Sequence, residues 1–289
     1  MDRADVEPVG DVGGSGWHAA LDLGFASVRG ATWLSHRAHR GPLVVQRPFL
    51  PEGPAVCHVY LLHPPGGMVG GDELAVDVQV AAGAHALLTT PAAGKVYRTS
   101  GAPVRATQRL RVADDGTLEW LPQETILYDG ARATLETRVE LAGAARFIGV
   151  DAVCFGLPAR RAPYARGDCR QTFEIVRDGR PVLVERGHYD AGGAVGRARW
   201  GLGGASLLAF AVAAPAPHAD AIEAVRARAA EAGSGDIAAV TVLGDGDALV
   251  TRYLGHDAER ARAFLHDTWR VVRPALLGRA ATPPRVWAT

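Results

Sequence analysis

From Trp17 to about residue 213, apolar and polar positions alternate with a period of two. In LAVDVQV (74–80), Leu74, Val76, Val78 and Val80 share one face while Asp77 and Gln79 take the other. VRATQRLRV (104–112) and RATLETRVEL (132–141) alternate in the same way. Successive side chains of a strand point to opposite sides, so this pattern predicts strands with one wet face. Turn signals fall between them at Pro51-Glu52-Gly53, Asp114-Asp115-Gly116, Asp129-Gly130 and Arg177-Asp178-Gly179, and their spacing predicts hairpins and meanders. No helix of any length competes in this region.

The C-terminal stretch changes style. GASLLAFAVAA predicts a buried strand, and HADAIEAVRARAAEAG a helix with Ile222, Val225 and Ala229 on one stripe and Gly233 just past its end. IAAVTVL and ALVTRYL predict two further strands. A second helix starts near Asp257 as N-cap, with Ala261, Phe264, Leu265, Thr268 and Val272 as its apolar side before Pro274. The fold class is therefore α+β, mostly β: a long antiparallel β body over about 16–204, followed by a strand and two-helix layer over about 205–289. A chain of 289 residues accommodates both parts in one domain spanning 16–289. Residues 1–15, acidic and glycine-rich without an apolar core segment, predict a disordered tail and not a signal peptide.

Charge narrows the partners. Lys plus Arg and Asp plus Glu both number 31, so no global field draws the chain to nucleic acid or anionic lipid, and neither is expected as a partner. The longest apolar run, LLAFAVAA (207–214), is far short of the roughly 20 residues of a membrane span. Cys57, Cys154 and Cys169 are odd in number and widely spaced, which argues against a disulfide framework and a structural zinc site and for a reducing, cytoplasmic location.

The stretch HPPGGMVGGDE (63–73) poses the chemical question. Glycine-rich turns cradle phosphates with backbone N–H groups, but here Gly66, Gly67, Gly70 and Gly71 lead into Asp72 and Glu73, whose charges repel a phosphate. Neither a Walker loop nor a dinucleotide fingerprint is present, and Gly94-Lys95 is followed by Val96 where a hydroxyl is required. A tight loop needing positive φ, with Pro64-Pro65 stiffening its start, accounts for the same residues.

Nucleophile and zincin signatures are missing. Acids at Asp72/Glu73, Glu119, Glu124, Asp129, Asp151 and Glu185 could serve a glycoside hydrolase if two of them faced each other at the required separation. Cys57 and His58 point to opposite faces of a strand, and Cys57 and His63 lie roughly 20 Å apart along an extended chain, so no chelate forms there. His36-x-x-His39 sits in an arginine-rich polar stretch and is a solvated pair. No tight metal site is predicted; metal handled by scattered His and carboxylate groups would be held weakly, which suits passage better than storage.

VQRPFLPEG (45–53), CHVYLLHPPGGMVGGDEL (57–74), LLTTPAAGKVYRTSG (87–101), LEWLPQETILYDGA (118–131) and DTWRVVRPALLGRAATPPRVWAT (267–289) together resemble the urease accessory protein UreD family, in its order and over most of the chain from Trp17 onward. The resemblance implies a maturation factor with no turnover of its own, holding no cofactor and passing nickel(II) in transit. It implies a cytoplasmic complex with UreF, the GTPase UreG and urease apoprotein, and a β-rich body with a water-filled tunnel as nickel route. By matched position it implies Asp72 and Glu185 on the nickel path, with Glu119, Glu124 and Asp151 as further motif acids, and His63 beside them. Two departures stand out: Leu50 where the family often has Tyr, and Gly94 where it often has Ser, Thr or Ala. The hypothesis for the loop is that its glycine pairs expose carbonyls while Asp72 supplies charge at a tunnel wall. Arg273-Pro274 to Trp287 is either a docking segment or a tail packed on the body, and the residues alone leave both open. An autonomous nickel-binding chaperone and a carboxylate-dependent hydrolase are the alternative functions.

Overall fold

The computed structural model describes residues 16–288, so the predicted N-terminal tail lies outside the described residues. In chain order the first strands are β1 (His18–Val28), β2 (Ala31–Arg40), β3 (Val44–Val45), β4 (Cys57–Leu62), β5 (Glu73–Val80), β6 (His85–Thr89), β7 (Gly94–Val96), β8 (Val104–Val112) and β9 (Thr117–Leu121). There follow β10 (Thr125–Leu127), β11 (Arg132–Leu141), β12 (Arg146–Leu157), β13 (Ala162–Pro163), β14 (Asp168–Arg177) and β15 (Arg180–Asp190). The C-terminal part holds α1 (Ala194–Arg197), β16 (Leu207–Ala214), α2 (Ala219–Ala230), β17 (Ile237–Leu243), β18 (Ala248–Gly255) and α3 (Ala258–Leu277).

These strands form two facing sheets. One runs β15-β14-β11-β8-β5-β1-β2; the other runs β17-β18-β16-β12-β9-β6-β4-β3 and carries β7, β10 and β13 beside that path. The chain shuttles between them: β4, β6, β9 and β12 belong to the second sheet, and β5, β8, β11 and β14 to the first. Each return lays a strand parallel to the one before, as in β5 on β8, β8 on β11 and β6 on β9. The mostly-β, α+β class stands, but the antiparallel body does not, because both sheets have a parallel spine with antiparallel strands at their edges. Asp114-Asp115-Gly116, read as a hairpin, instead carries the chain from β8 to β9 in the opposite sheet, whereas Arg177-Asp178-Gly179 does close the hairpin of β14 and β15. Period-two alternation marks a strand with one dry face and is silent on which strand lies beside it.

Burial follows the layering. The dry faces of both sheets enclose one core, and the reverse face of the second sheet packs under α2 and α3 in another. That is why strands of the second sheet such as Thr117–Leu121 are buried on both faces, while those of the first alternate. In α3, Asp257 accepts hydrogen bonds from the N–H groups of Glu259 (2.9 Å) and Arg260 (3.2 Å), a cap that contributes about 1 kcal/mol. Ala261, Phe264, Leu265, Thr268, Trp269 and Val272 are its buried stripe. The helix does not stop at Pro274 but runs to Leu277 and ends on Gly278, whose φ of 64° suits glycine. Gly233 is not the terminator of α2; that helix ends at Ala230, and Glu231 closes it through N–H bonds to Arg228 and Ala229.

Candidate functional site

The glycine-rich loop joins β4 in the second sheet to β5 in the first. Gly66 and Gly71 have φ of 75° and 89°, and the Gly66 N–H closes the Pro64-Pro65 turn onto the His63 carbonyl at 2.9 Å. Gly67 and Gly70 serve a different need, close approach. A Cβ on Gly67 would run into the Tyr97 ring, and one on Gly70 into the Thr99 side chain and the Ala102 carbonyl oxygen. Met68 then joins the Lys95–Tyr97 backbone through N–H···O bonds of 2.7 and 2.9 Å. Asp72 fastens the far end: its carboxylate accepts from the Trp17 N–H at 2.9 Å and the Val69 N–H at 2.8 Å. Gly70→Ala is expected to cost about 1–3 kcal/mol in urea unfolding, because backbone on the other side cannot give way. Gly101→Ala, where nothing lies within reach of a Cβ, should leave the midpoint unchanged.

Beside this loop a cavity of about 510 Å³ penetrates between the sheets. His63, Gly66, Gly67 and Lys95 border it where the Pro64–Gly66 turn is exposed. Leu74, Val76, Ala106 and Leu135 line it from the first sheet, Trp120 from the second. Deeper in lie three polar side chains, Gln108, Thr137 and Asp151. The Thr137 hydroxyl donates to the Gln108 side-chain carbonyl at 2.8 Å, and the Gln171 amide donates to Asp151 at 2.9 Å. Burial pushes the Asp151 carboxyl up to about 6, against the opposing hydrogen bonds of Gln171 and the Ala152 backbone. His63 is pushed below its ordinary value by burial, with the Asp72 charge pulling the other way.

Strand register extends this polar row. Gln108, Thr137, Phe173 and Glu185 stand side by side across β8, β11, β14 and β15, and Asp151, Phe210 and Arg252 across β12, β16 and β18. Phe173 and Phe210 meet edge to face with centroids 4.9 Å apart, and beyond them Arg252 donates to Glu185, bridging the sheets. The arrangement is a chamber with an exposed mouth and a single carboxylate, separated from a half-exposed Arg–Glu pair by two aromatic rings.

A family model described as UreD urease accessory protein matches residues 18–288. The chain belongs to the UreD urease accessory protein family. It is 48% identical over 275 residues to the urease accessory protein UreD of Azoarcus sp. (strain BH72), covering 95% of both chains. The UreD of Pseudomonas putida (strain ATCC 700007 / DSM 6899 / JCM 31910 / BCRC 17059 / LMG 24140 / F1) is 45% identical over 275 residues, with 95% of each covered, and that of Marinomonas sp. (strain MWYL1) 40% over 291 residues, with 96% of this chain and 92% of its own covered.

The acids singled out in this UreD family member divide between regions. His63, Gly66, Gly67 and Asp151 line the cavity; Asp72 is buried beside it with both oxygens occupied by backbone N–H groups; Glu185 lies past the phenylalanine pair. Glu119 and Glu124 point to the opposite side of the second sheet, under α3. Glu119 is fully buried and accepts from His85 (2.7 Å), the Trp269 indole (2.6 Å) and Arg273 (3.0 Å to each oxygen). Burial alone would raise its carboxyl, but His85, then Arg273 and Trp269, hold it below the usual range. Arg273 also reaches Glu52 at 2.8 Å, which pairs with buried His58 at 2.7 Å. Glu124 pairs with Arg262 at 2.9 Å. His36 and His39 are both exposed, and His36 stands 3.7 Å from Asp22. Gly94 lines the cavity and Leu50 is exposed.

Asp151 is the sole acid lining the cavity among the described residues, so no two carboxylates face each other there as a hydrolase requires. Among the described residues no three His, Cys, Asp or Glu side chains gather closely enough to hold a metal ion, and no helix is long and apolar enough to cross a membrane. The C-terminal segment packs on the body: Trp287 donates to the Thr89 hydroxyl at 2.9 Å and stacks on His266 at 3.9 Å. Lys95, Gln108, Thr137, Gln171 and Arg252 belong to the site without having been anticipated. For Gln108, Thr137 and Gln171 a signal exists, since each is a polar residue in the apolar phase of its strand.

Proposed function

We propose that this UreD family member serves urease maturation as a non-catalytic conductor of nickel(II), working with UreF, the GTPase UreG and urease apoprotein. The observation carrying this reading is the inter-sheet cavity, with His63 near its mouth and one half-buried carboxylate, Asp151, inside. Imidazole and carboxylate both suit nickel, and a lone carboxylate with amide and hydroxyl neighbours lowers the cost of removing a divalent ion from bulk water without supplying the three or more protein ligands that would retain it. Glu185 extends the acid row towards the far edge, where its pairing with Arg252 keeps it charged-compensated until a cation arrives. The relatives' names as urease accessory proteins supply the urease context. The test is co-expression with UreF, UreG and apourease at limiting nickel. His63→Ala and Glu185→Ala are each expected to lower nickel-dependent urease activity several-fold while the complex still co-purifies. Full activation by both variants would overturn the transit route.

A further inference from the structure

A second groove, of about 560 Å³, opens at the β15 end of the sandwich between the turn at Pro158–Pro163 and the glycine-rich segment 191–206. Its floor is aromatic: Phe155 packs against Tyr164 at 5.9 Å and Tyr189 at 5.0 Å. Its rim is cationic. Arg161 lines one bank and Arg197 the other, and among the described residues neither guanidinium has a hydrogen bond or an ion pair. By contrast, Arg111, Arg138 and Arg186 on the first sheet's outer face are each held by a carboxylate. Arg160 and Arg199 neighbour these two in sequence and are likewise exposed, against one acidic lining residue, Asp190. Arg161 has φ of 53°, a left-handed conformation that glycine would adopt at no steric cost, yet the position carries a cation. Trp200, in the same glycine-rich segment, is 75% exposed. His256 and Ser206, 3.1 Å apart, complete the wall with a polar pair.

We infer that this groove docks a carboxylate-rich segment of a partner protein. Guanidinium forks grip carboxylates with two parallel hydrogen bonds, and uncommitted arginines over half-buried tyrosines, with an exposed tryptophan in the same segment, form the composition of interface centres. Since positive and negative residues balance over the whole chain, the attraction is local to this groove. A nucleic-acid strand would need a continuous basic track, and Asp190 interrupts this one. The inference goes beyond nickel transit and uses none of the cavity residues.

The experiment titrates the full chain into a dye-labelled hexaglutamate peptide and follows fluorescence anisotropy at low salt, with a single-stranded hexanucleotide as comparison. Arg161→Glu with Arg197→Glu is expected to weaken peptide binding at least tenfold, and Trp200→Ala several-fold. Arg109→Glu, at an exposed position on the first sheet, should stay within twofold. Thermal melts by circular dichroism confirm that each variant is folded. Equal peptide affinity for the wild type and the double reversal, an equal loss in Arg109→Glu, or a tenfold preference of the wild type for the oligonucleotide would each overturn the assignment.

Discussion

Arg273→Leu should destabilise the protein by about 3–5 kcal/mol, the largest single-residue effect expected, because it removes the cation that two buried carboxylates share. Arg273 is fully buried, lies against both oxygens of Glu119 at 3.0 Å and reaches Glu52 at 2.8 Å; it also donates to the Ala280 carbonyl. Without it, Glu119 keeps His85 and Trp269 but loses its permanent counter-charge, and the segment after Gly278 loses an anchor on α3. The pH dependence has a definite sign. The Glu119 carboxyl is held below its ordinary value in the folded protein, so its stabilising contribution is present above the unfolded carboxylate range near pH 4.5 and is lost as pH falls through the lower folded value. Removing Arg273 takes away part of what opposes burial, so the penalty should be larger at pH 8 than at pH 4.5. Urea unfolding at the two pH values measures it. Pairing Arg273→Leu with Glu119→Leu should recover part of the loss, since an apolar pair of similar shape leaves less charge stranded. A loss below about 1 kcal/mol for the single variant would mean that water enters and solvates the cluster.

Which parts of this architecture were legible in the chain follows from what each pattern encodes. Alternation in LAVDVQV and VRATQRLRV marked β5 and β8 because one of their faces is wet. The same alternation carried no word about β5 lying parallel to β8, since a turn such as Asp114-Asp115-Gly116 serves a hairpin or a crossing between sheets equally well. The cavity was partly written in the chain: Gln108, Thr137 and Gln171 occupy apolar-phase positions, and a polar side chain there needs either a partner or a hydrated space. What united them was register between strands far apart in sequence. The Glu119 cluster was hidden for a related reason, as its members come from the loop before β4, from β6, from β9 and from α3 and share no spacing. Asp72 stood out as an acid after glycines; its geometry is that of a side chain tying down the backbone N–H groups of Trp17 and Val69.

Asp151→Asn should separate stability from transit. In the folded protein burial pushes the Asp151 carboxyl up to about 6 from 3.8, so keeping it ionised at neutral pH costs at most about 3 kcal/mol, and less in practice because the side chain opens onto the cavity. The favourable contribution of the protonated form is fully present below about pH 4 and is lost as pH rises through about 6. Asparagine is neutral, has nearly the same shape and still offers an oxygen to the Gln171 amide that now donates to Asp151 at 2.9 Å. The variant is therefore expected to be more stable than the wild type at pH 8, with the difference shrinking at pH 5, as urea midpoints would record. In the proposed transit the same change deletes the one negative charge of the chamber, so nickel-dependent urease activation at limiting nickel should fall at least tenfold while the complex forms as before. Asp151→Glu, which keeps the charge but lengthens the side chain against the cavity walls, should retain part of the activity and none of the added stability. A variant gaining stability with undiminished activation would leave Asp151 a half-buried acid of no consequence to nickel; one losing activation without the pH-dependent gain would show the carboxylate to be better solvated than its surroundings indicate.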